Sequence, residues 1–215
     1  MNLLITNVGR RDYFIDFLIN IKKKIKKLNI YVADNNINKI SKNISKVKYL
    51  KVEKVGQSKN KYLKQIKHII KKFSINLIIP CTNYDLDILS INKSFFNKKG
   101  CLLSVSENSL IQKLLNKEKM YYLCKKNNIP TPKIFFKISQ IDPARKKFII
   151  KDKYGHSSIG LKITDQIKKS NFNKNNIIQE YIDGSEYHLD ILNNFNGKFV
   201  ACCAKKKISM RDGET

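Results

Sequence analysis

The run Lys151-Asp152-Lys153-Tyr154-Gly155-His156-Ser157-Ser158-Ile159-Gly160-Leu161 has the residue types of an anion cradle. Lys151 supplies a compact positive charge, and Ser157 and Ser158 supply hydroxyl and N–H donors. Gly155 and Gly160 let the backbone approach an anion closely. Apolar runs flank the segment, Phe148-Ile149-Ile150 before it and Leu161-Lys162-Ile163 after it. A strand, a small-residue loop and a returning strand are expected, as in a lid over polyphosphate. An ordinary hairpin turn needs the same Gly and Ser, so the segment alone leaves both roles open.

A second set of residues shares an order with this loop. Lys117 precedes it on a helical stretch. Gln179-Glu180-Tyr181-Ile182 follows as an apolar-flanked strand carrying one carboxylate, and Glu186 lies six residues after Glu180. Two lysines suit phosphate oxygens. The strand edge at Glu180 and Ile182 could present backbone groups to a purine, and Glu186 could accept from ribose hydroxyls. Taken singly, each is equally a solvated charge. Near the N-terminus, Gly9 follows the first strand without a Gly-x-Gly-x-x-Gly, which leaves little for a dinucleotide reading, although Asp34 ends the second strand where ribose would bind. Arg10 and Arg11 could hold a carboxylate or phosphate at the sheet edge, or face solvent.

The elements that must position these groups fall into two halves. Leu3–Thr6, Ile30–Ala33, Tyr49–Val52, Leu77–Ile79 and Leu102–Val105 read as strands. Asp12 to Lys24, Tyr62 to Phe73 and Tyr84 to Phe96 read as helices between them, by apolar spacing. Such alternation predicts right-handed crossovers and a parallel sheet covered on both faces. Its ligand positions are the strand C-termini at Asn7–Arg11, Asp34–Asn36 and Cys81–Asp85. The remainder reads as α+β. Ser109 to about Asn127 is helical, with Ser106 or Asn108 as N-cap. Asn128-Ile129-Pro130-Thr131-Pro132 forces an extended exit. Lys147 to Ile163 is a hairpin, Ile177–Ile182 a strand, and Tyr187–Leu192 with Phe199–Ala204 an antiparallel pair across Asn194–Gly197.

The formal charge is +26, but only four of the 43 basic residues are Arg: Arg10, Arg11, Arg145 and Arg211. Nucleic-acid readers lean on Arg for bidentate contacts. Abundant Lys, Asn and Ile, with Trp absent, read instead as compositional drift over solvated faces, so nucleic acid is not expected as a partner. The cysteines Cys81, Cys101, Cys124, Cys202 and Cys203 form no Cys-x-x-Cys pair, and three lie in or beside apolar runs, which predicts reduced, buried thiols and a cytoplasmic protein. Three scattered histidines have no metal spacing. No apolar run reaches the roughly 18 residues of a membrane span, and the N-terminus lacks signal-peptide features.

With these residues in place, the segment from about Asn108 onward resembles the front of the ATP-grasp fold, in the carbamoyl-phosphate synthase large-subunit-like branch. The resemblance rests on Asn116-Lys117 (the family usually has Asp-Lys), the Asn128–Pro132 exit, Lys151 to Gly160, and Ile178–Tyr187. The closing Lys205–Glu214 stretch, with Arg211, Gly213 and Glu214, also resembles this branch. Residues before it resemble the Rossmann-like domain that precedes ATP-grasp, including Asn7–Arg11 and Ile79–Thr82. The resemblance implies an α/β chain with a Rossmann-like pre-ATP-grasp domain over 1–111 and an incomplete α+β ATP-grasp region over 112–215.

It further implies ATP as ligand. Lys117 and Lys151 would contact phosphates, with Gly155, His156, Ser157, Ser158 and Gly160 folding over them. Glu180, Tyr181 and Ile182 would read adenine, and Glu186 would hold the ribose. The implied reaction is activation of a carboxylate as an acylphosphate, displaced by an amine, with Mg2+ bridging the phosphates. The acidic magnesium ligands of the family lie on later strands, and no acidic pair is visible among the 17 acids of this chain. A truncated fragment, a split-gene half or a degenerate remnant is therefore expected, with a complementing polypeptide or a homodimer as possible partner. Asn116 in place of Asp is expected to leave Lys117 less firmly placed.

Overall fold

The computed structural model describes residues 1–9, 11–36, 46–142, 144, 147–155 and 160–209. The chain divides into two compact units, Met1–Gln112 and Lys113–Thr215. The first is built from β1 (Asn2–Thr6), α1 (Asp12–Lys24), β2 (Asn29–Asp34), β3 (Lys48–Lys51), α2 (Lys59–Phe73), β4 (Leu77–Pro80), α3 (Asn83–Ile91), α4 (Lys93–Lys98), β5 (Leu102–Leu103) and α5, which begins at Asn108. Its five strands are parallel in the order β3-β2-β1-β4-β5. Order reverses between β1 and β4. Leu3, Leu4, Ile5, Val32 and Ile78 are buried, as expected of strands covered on both faces. One face packs Tyr62, Ile66, Ile69 and Ile70 of α2 with Ile88, Leu89 and Phe96. The other packs Ile15, Leu18 and Ile19 of α1.

Two long helices of the sequence reading are each broken. Tyr84 to Phe96 forms α3 and α4, separated at Asn92, whose Nδ2 donates to the Ile88 carbonyl at 2.8 Å. A short amide side chain that bonds the helix backbone competes with helix continuation. Ser109 to Asn127 forms α5 (Asn108–Leu114) and α6 (Lys117–Lys126). The break is Asn116, which is extended and caps α6, its Oδ1 accepting from the N–H groups of Glu118 and Lys119, each at 3.0 Å.

In the second unit, β6 (Ile134–Phe135), β7 (Phe148–Asp152), β8 (Lys162–Thr164) and β9 (Asn176–Glu180) form an antiparallel sheet in the order β6-β9-β7-β8. Phe135, Phe148, Ile150 and Ile178 form its core. β6 is too short to show a strand period in the sequence. β10 (Tyr187–Asn193) and β11 (Phe199–Lys206) pair antiparallel as a separate hairpin. Among the described residues no helix is long and apolar enough to cross a membrane. All five cysteines are free, and Cys101 is buried, but Cys202 and Cys203 are exposed on β11. Their expected burial is thus corrected: an apolar strand is buried only if something packs on it.

Candidate functional site

Lys117 and Lys151 converge in the second unit. Lys151 is the fourth residue of β7, half-buried, and registers with Ile177 of β9. Lys117 opens α6. Its N–H donates to the Lys153 carbonyl at 2.9 Å, and its Nζ donates to the Gly155 carbonyl. Burial pushes both ammonium groups below the ordinary lysine value. The charge of Lys117 lowers Lys151 further, while Asp152 partly offsets the effect at Lys117. Two partly desolvated ammonium groups that repel each other are an arrangement a phosphate would stabilise.

The support beneath the pair is specific. Lys153 N–H donates to the Asn175 carbonyl at 2.8 Å, and Lys153 Nζ pairs with Glu118 in the first turn of α6. Lys153 therefore joins the α6 N-terminus to the end of β7. Sequence reasoning missed this residue; the available signal was Asn116 followed by an acid in the first helical turn. Nor is Lys117 loosely placed. Asn116 is buried and caps α6 through a side-chain oxygen, as an aspartate would, so the expected weakness is corrected. Gly160 has φ +73, and a Cβ there would approach Asp152 Oδ2 to 3.4 Å. His156, Ser157 and Ser158 lie outside the described residues, as do Arg10, Arg211, Gly213 and Glu214.

Glu180 ends β9. Its N–H donates to the Lys133 carbonyl at 2.9 Å, and its Oε1 accepts from the Lys133 N–H at 2.7 Å. Gln179, buried, donates from Nε2 to the Pro132 carbonyl at 3.3 Å. The two side chains clasp the proline exit to the sheet. Tyr181 N–H reaches the Lys147 carbonyl at 3.4 Å, and Ile182 is exposed. Glu186 lies at the foot of the β10–β11 hairpin. Its carboxylate accepts from Lys207 Nζ at 2.7 Å and lies 3.3 Å from His188 Nε2, and the Lys207 bond holds it below the usual carboxylate range.

In the first unit, Asp34 is buried and committed. Its Oδ2 accepts from Gly9 N–H and its Oδ1 from Asn36 N–H, each at 2.9 Å, so it shapes the Gly9 turn, where φ is +63. Arg11 Nη1 donates to the Val8 carbonyl at 3.2 Å. At the same strand ends, buried Asp85 accepts from the hydroxyls of Thr6, Tyr62 (3.3 Å) and Thr82 (2.8 Å). Among the described residues no group of three His, Cys, Asp or Glu is placed to hold a metal ion.

The comparisons agree with this architecture. Residues 114–214 match the family model of an ATP-grasp domain, and residues 3–104 match that of a PylC-like N-terminal domain. Between them they span both units, and the fold is a parallel-sheet domain followed by an ATP-grasp domain. No curated protein matches the chain in sequence.

Among solved structures, the biotin carboxylase domain of the Hydrogenobacter thermophilus 2-oxoglutarate carboxylase is 13% identical with a TM-score of 0.69, covering 99% of this chain and 51% of that one. The L-amino acid ligase of Bacillus licheniformis is 12% identical with a TM-score of 0.63, over 89% of this chain and 46% of that one. Biotin carboxylase of Campylobacter jejuni is 13% identical with a TM-score of 0.62, over 88% and 47%. The chain thus spans about half the length of these structures, and the likeness is one of fold.

Proposed function

We propose that this chain binds ATP through Lys117 and Lys151, as the nucleotide-binding front of an ATP-dependent carboxylate–amine ligase. The observation that carries it is the half-buried pair of Lys151 on β7 and Lys117 at the head of α6, the latter donating to the Gly155 carbonyl, on an ATP-grasp domain. The lysines fit phosphate oxygens. Tyr181 and Ile182 follow β9 and would receive the adenine, Ile182 offering exposed apolar surface. For Glu180 and Glu186 to join, their carboxylates would exchange Lys133 and Lys207 for the nucleotide. Mg2+, when bound with ATP, would neutralise phosphate charge; the described residues offer no cage of their own for it. The lysines' part is to hold the phosphates and favour negative charge as it develops on transfer to a carboxylate. The motifs quoted above support the carbamoyl-phosphate synthase-like branch and a division at residues 111 and 112. The proposal is checked by calorimetric titration with ATP. Lys151→Met is expected to weaken binding at least tenfold, and an unchanged affinity would refute it.

One observation favours a nucleotide-binding subunit that needs a partner. Cross-strand register puts Tyr187, Leu189, Ile191, Cys202 and Ala204 on one face of the β10–β11 hairpin, with Lys206 at its end, and this largely apolar face is exposed, Leu189 and Ile191 each at 62%. An isolated two-stranded sheet is marginal in water. Leu189→Lys with Ile191→Lys is expected to abolish self-association or partner capture while ATP still binds. An unchanged sedimentation profile in the double variant would count against it.

A further inference from the structure

The sheet edge of the first unit carries a groove unrelated to the lysine pair. Among the described residues β3 is the terminal strand, and α2 follows it. A groove of about 490 Å³ is lined by Leu50, Lys51, Lys64, Gln65, His68 and Phe73. Val52 N–H donates inward to the Asp34 carbonyl of β2 at 3.0 Å. By the alternation of a parallel ladder, Leu50 and Lys48 also turn inward, and Tyr49, Lys51 and Glu53 turn outward. The outward N–H of Glu53 is taken by Gln65 Oε1 at 2.7 Å. That side-chain oxygen of α2 stands where the carbonyl of an added strand would stand. Lys51, two residues earlier on the same edge, lines the groove.

Charge on this groove has one sign. Lys61, Lys64, His68 and Lys72 recur along one stripe of α2, with Lys51 joining from β3. The nearby acid, Glu53, is paired with Lys61 at 2.6 Å. Among the described residues no ion pair involves Lys51, Lys64 or Lys72. Beneath the cations lie Leu50, Ile69 and Phe73, and the Lys48 and Lys72 ammonium groups stand 4.4 and 5.6 Å from the Phe73 ring centre.

We propose that this groove binds an extended acidic peptide, which adds to β3 as a further strand. Every second residue, on the face toward α2, would meet the lysine stripe as a carboxylate and lay its methylene groups on the Leu50–Phe73 floor. A strand edge offers main-chain donors at peptide spacing. The Phe73 face is covered by lysines rather than open for base stacking, which favours peptide over nucleic acid.

The full chain is titrated with a fluorescent peptide of about ten residues alternating Glu and Val. A Lys/Val peptide and single-stranded oligo(dT) serve as comparators. The acidic peptide is expected to bind, and to weaken about tenfold in Lys64→Glu/Lys72→Glu and again in high salt. Lys51→Pro removes an outward N–H but leaves the inward ladder, so it should weaken binding more than Lys51→Gln. In the wild type, the amides of Tyr49 and Lys51 should gain protection from exchange when peptide binds. No acidic-peptide binding, affinity unchanged in Lys64→Glu/Lys72→Glu, unprotected edge amides, or tighter binding of oligo(dT) would each overturn the proposal.

Discussion

Lys151 is a charge held where the fold alone would rather have none. Burial and Lys117 both disfavour its ammonium form, so its folded pKa lies below the ordinary 10.5. A lysine lowered in this way costs stability wherever it is charged in both states. The unliganded protein should therefore gain stability as pH rises from the folded pKa of Lys151 toward 10.5. Lys151→Met should raise the melting temperature of the unliganded protein near neutral pH, lose that alkaline gain, and lose ATP binding with it. Calorimetric melts with and without nucleotide check all three. Asp85 works with the opposite charge. Burial raises its carboxyl above the usual 3.8, despite the hydroxyls of Thr6 and Thr82 that oppose the shift. Its ionised form is the costly one in the folded state. Stability should fall as pH rises from about that value through the folded pKa, and Asp85→Asn should flatten this fall in urea midpoints measured across pH.

At the scale of elements, caps and breaks position the site more than helix propensity does. Asn116 ends the reach of α5 and starts α6, which brings Lys117 against Lys153 and Gly155. Asn116→Ala should cost about 1 kcal/mol of unfolding free energy and also weaken nucleotide binding, whereas Asn116→Asp should leave both near wild type. Denaturant melts and ATP titrations on the two variants separate the cap from the charge. Most elements were legible from period: β1 to β4, α1, α2, the β7–β8 hairpin and the β10–β11 pair all follow apolar spacing. The breaks at Asn92 and Asn116 were not, because an asparagine inside a periodic run is compatible with a continuous helix until its side chain finds backbone to bond. β6 escaped for a different reason. Two residues hold no period, and Ile134 and Phe135 become a strand only because β9 pairs with them.

At the scale of the molecule, each unit is described by its own core. The first has two layers of side chains on a five-stranded sheet. A polypeptide of residues 1–112 should therefore fold alone and unfold in one cooperative transition. A featureless urea profile would show that its core is insufficient. The second unit has a small core of Phe135, Phe148, Ile150 and Ile178, with an exposed apolar hairpin beside it. The high positive charge lies almost wholly on lysine, and its local expression at the β3–α2 groove is a matter of placement, not of total count.

By itself the sequence determined the alternation of strands and helices, the order of the lysine, loop and Gln-Glu-Tyr-Ile segments, and the absence of a glycine-rich dinucleotide turn. These are local properties, carried by residue type and spacing. Tertiary structure decided which polar groups were already spent. Asp34 went to Gly9, Glu180 to Lys133 and Glu186 to Lys207, while Lys117 and Lys151 were drawn together with burial as their main perturbation. A side chain's partner depends on what distant strands bring within about 3 Å of it, and spacing along a chain does not encode that distance.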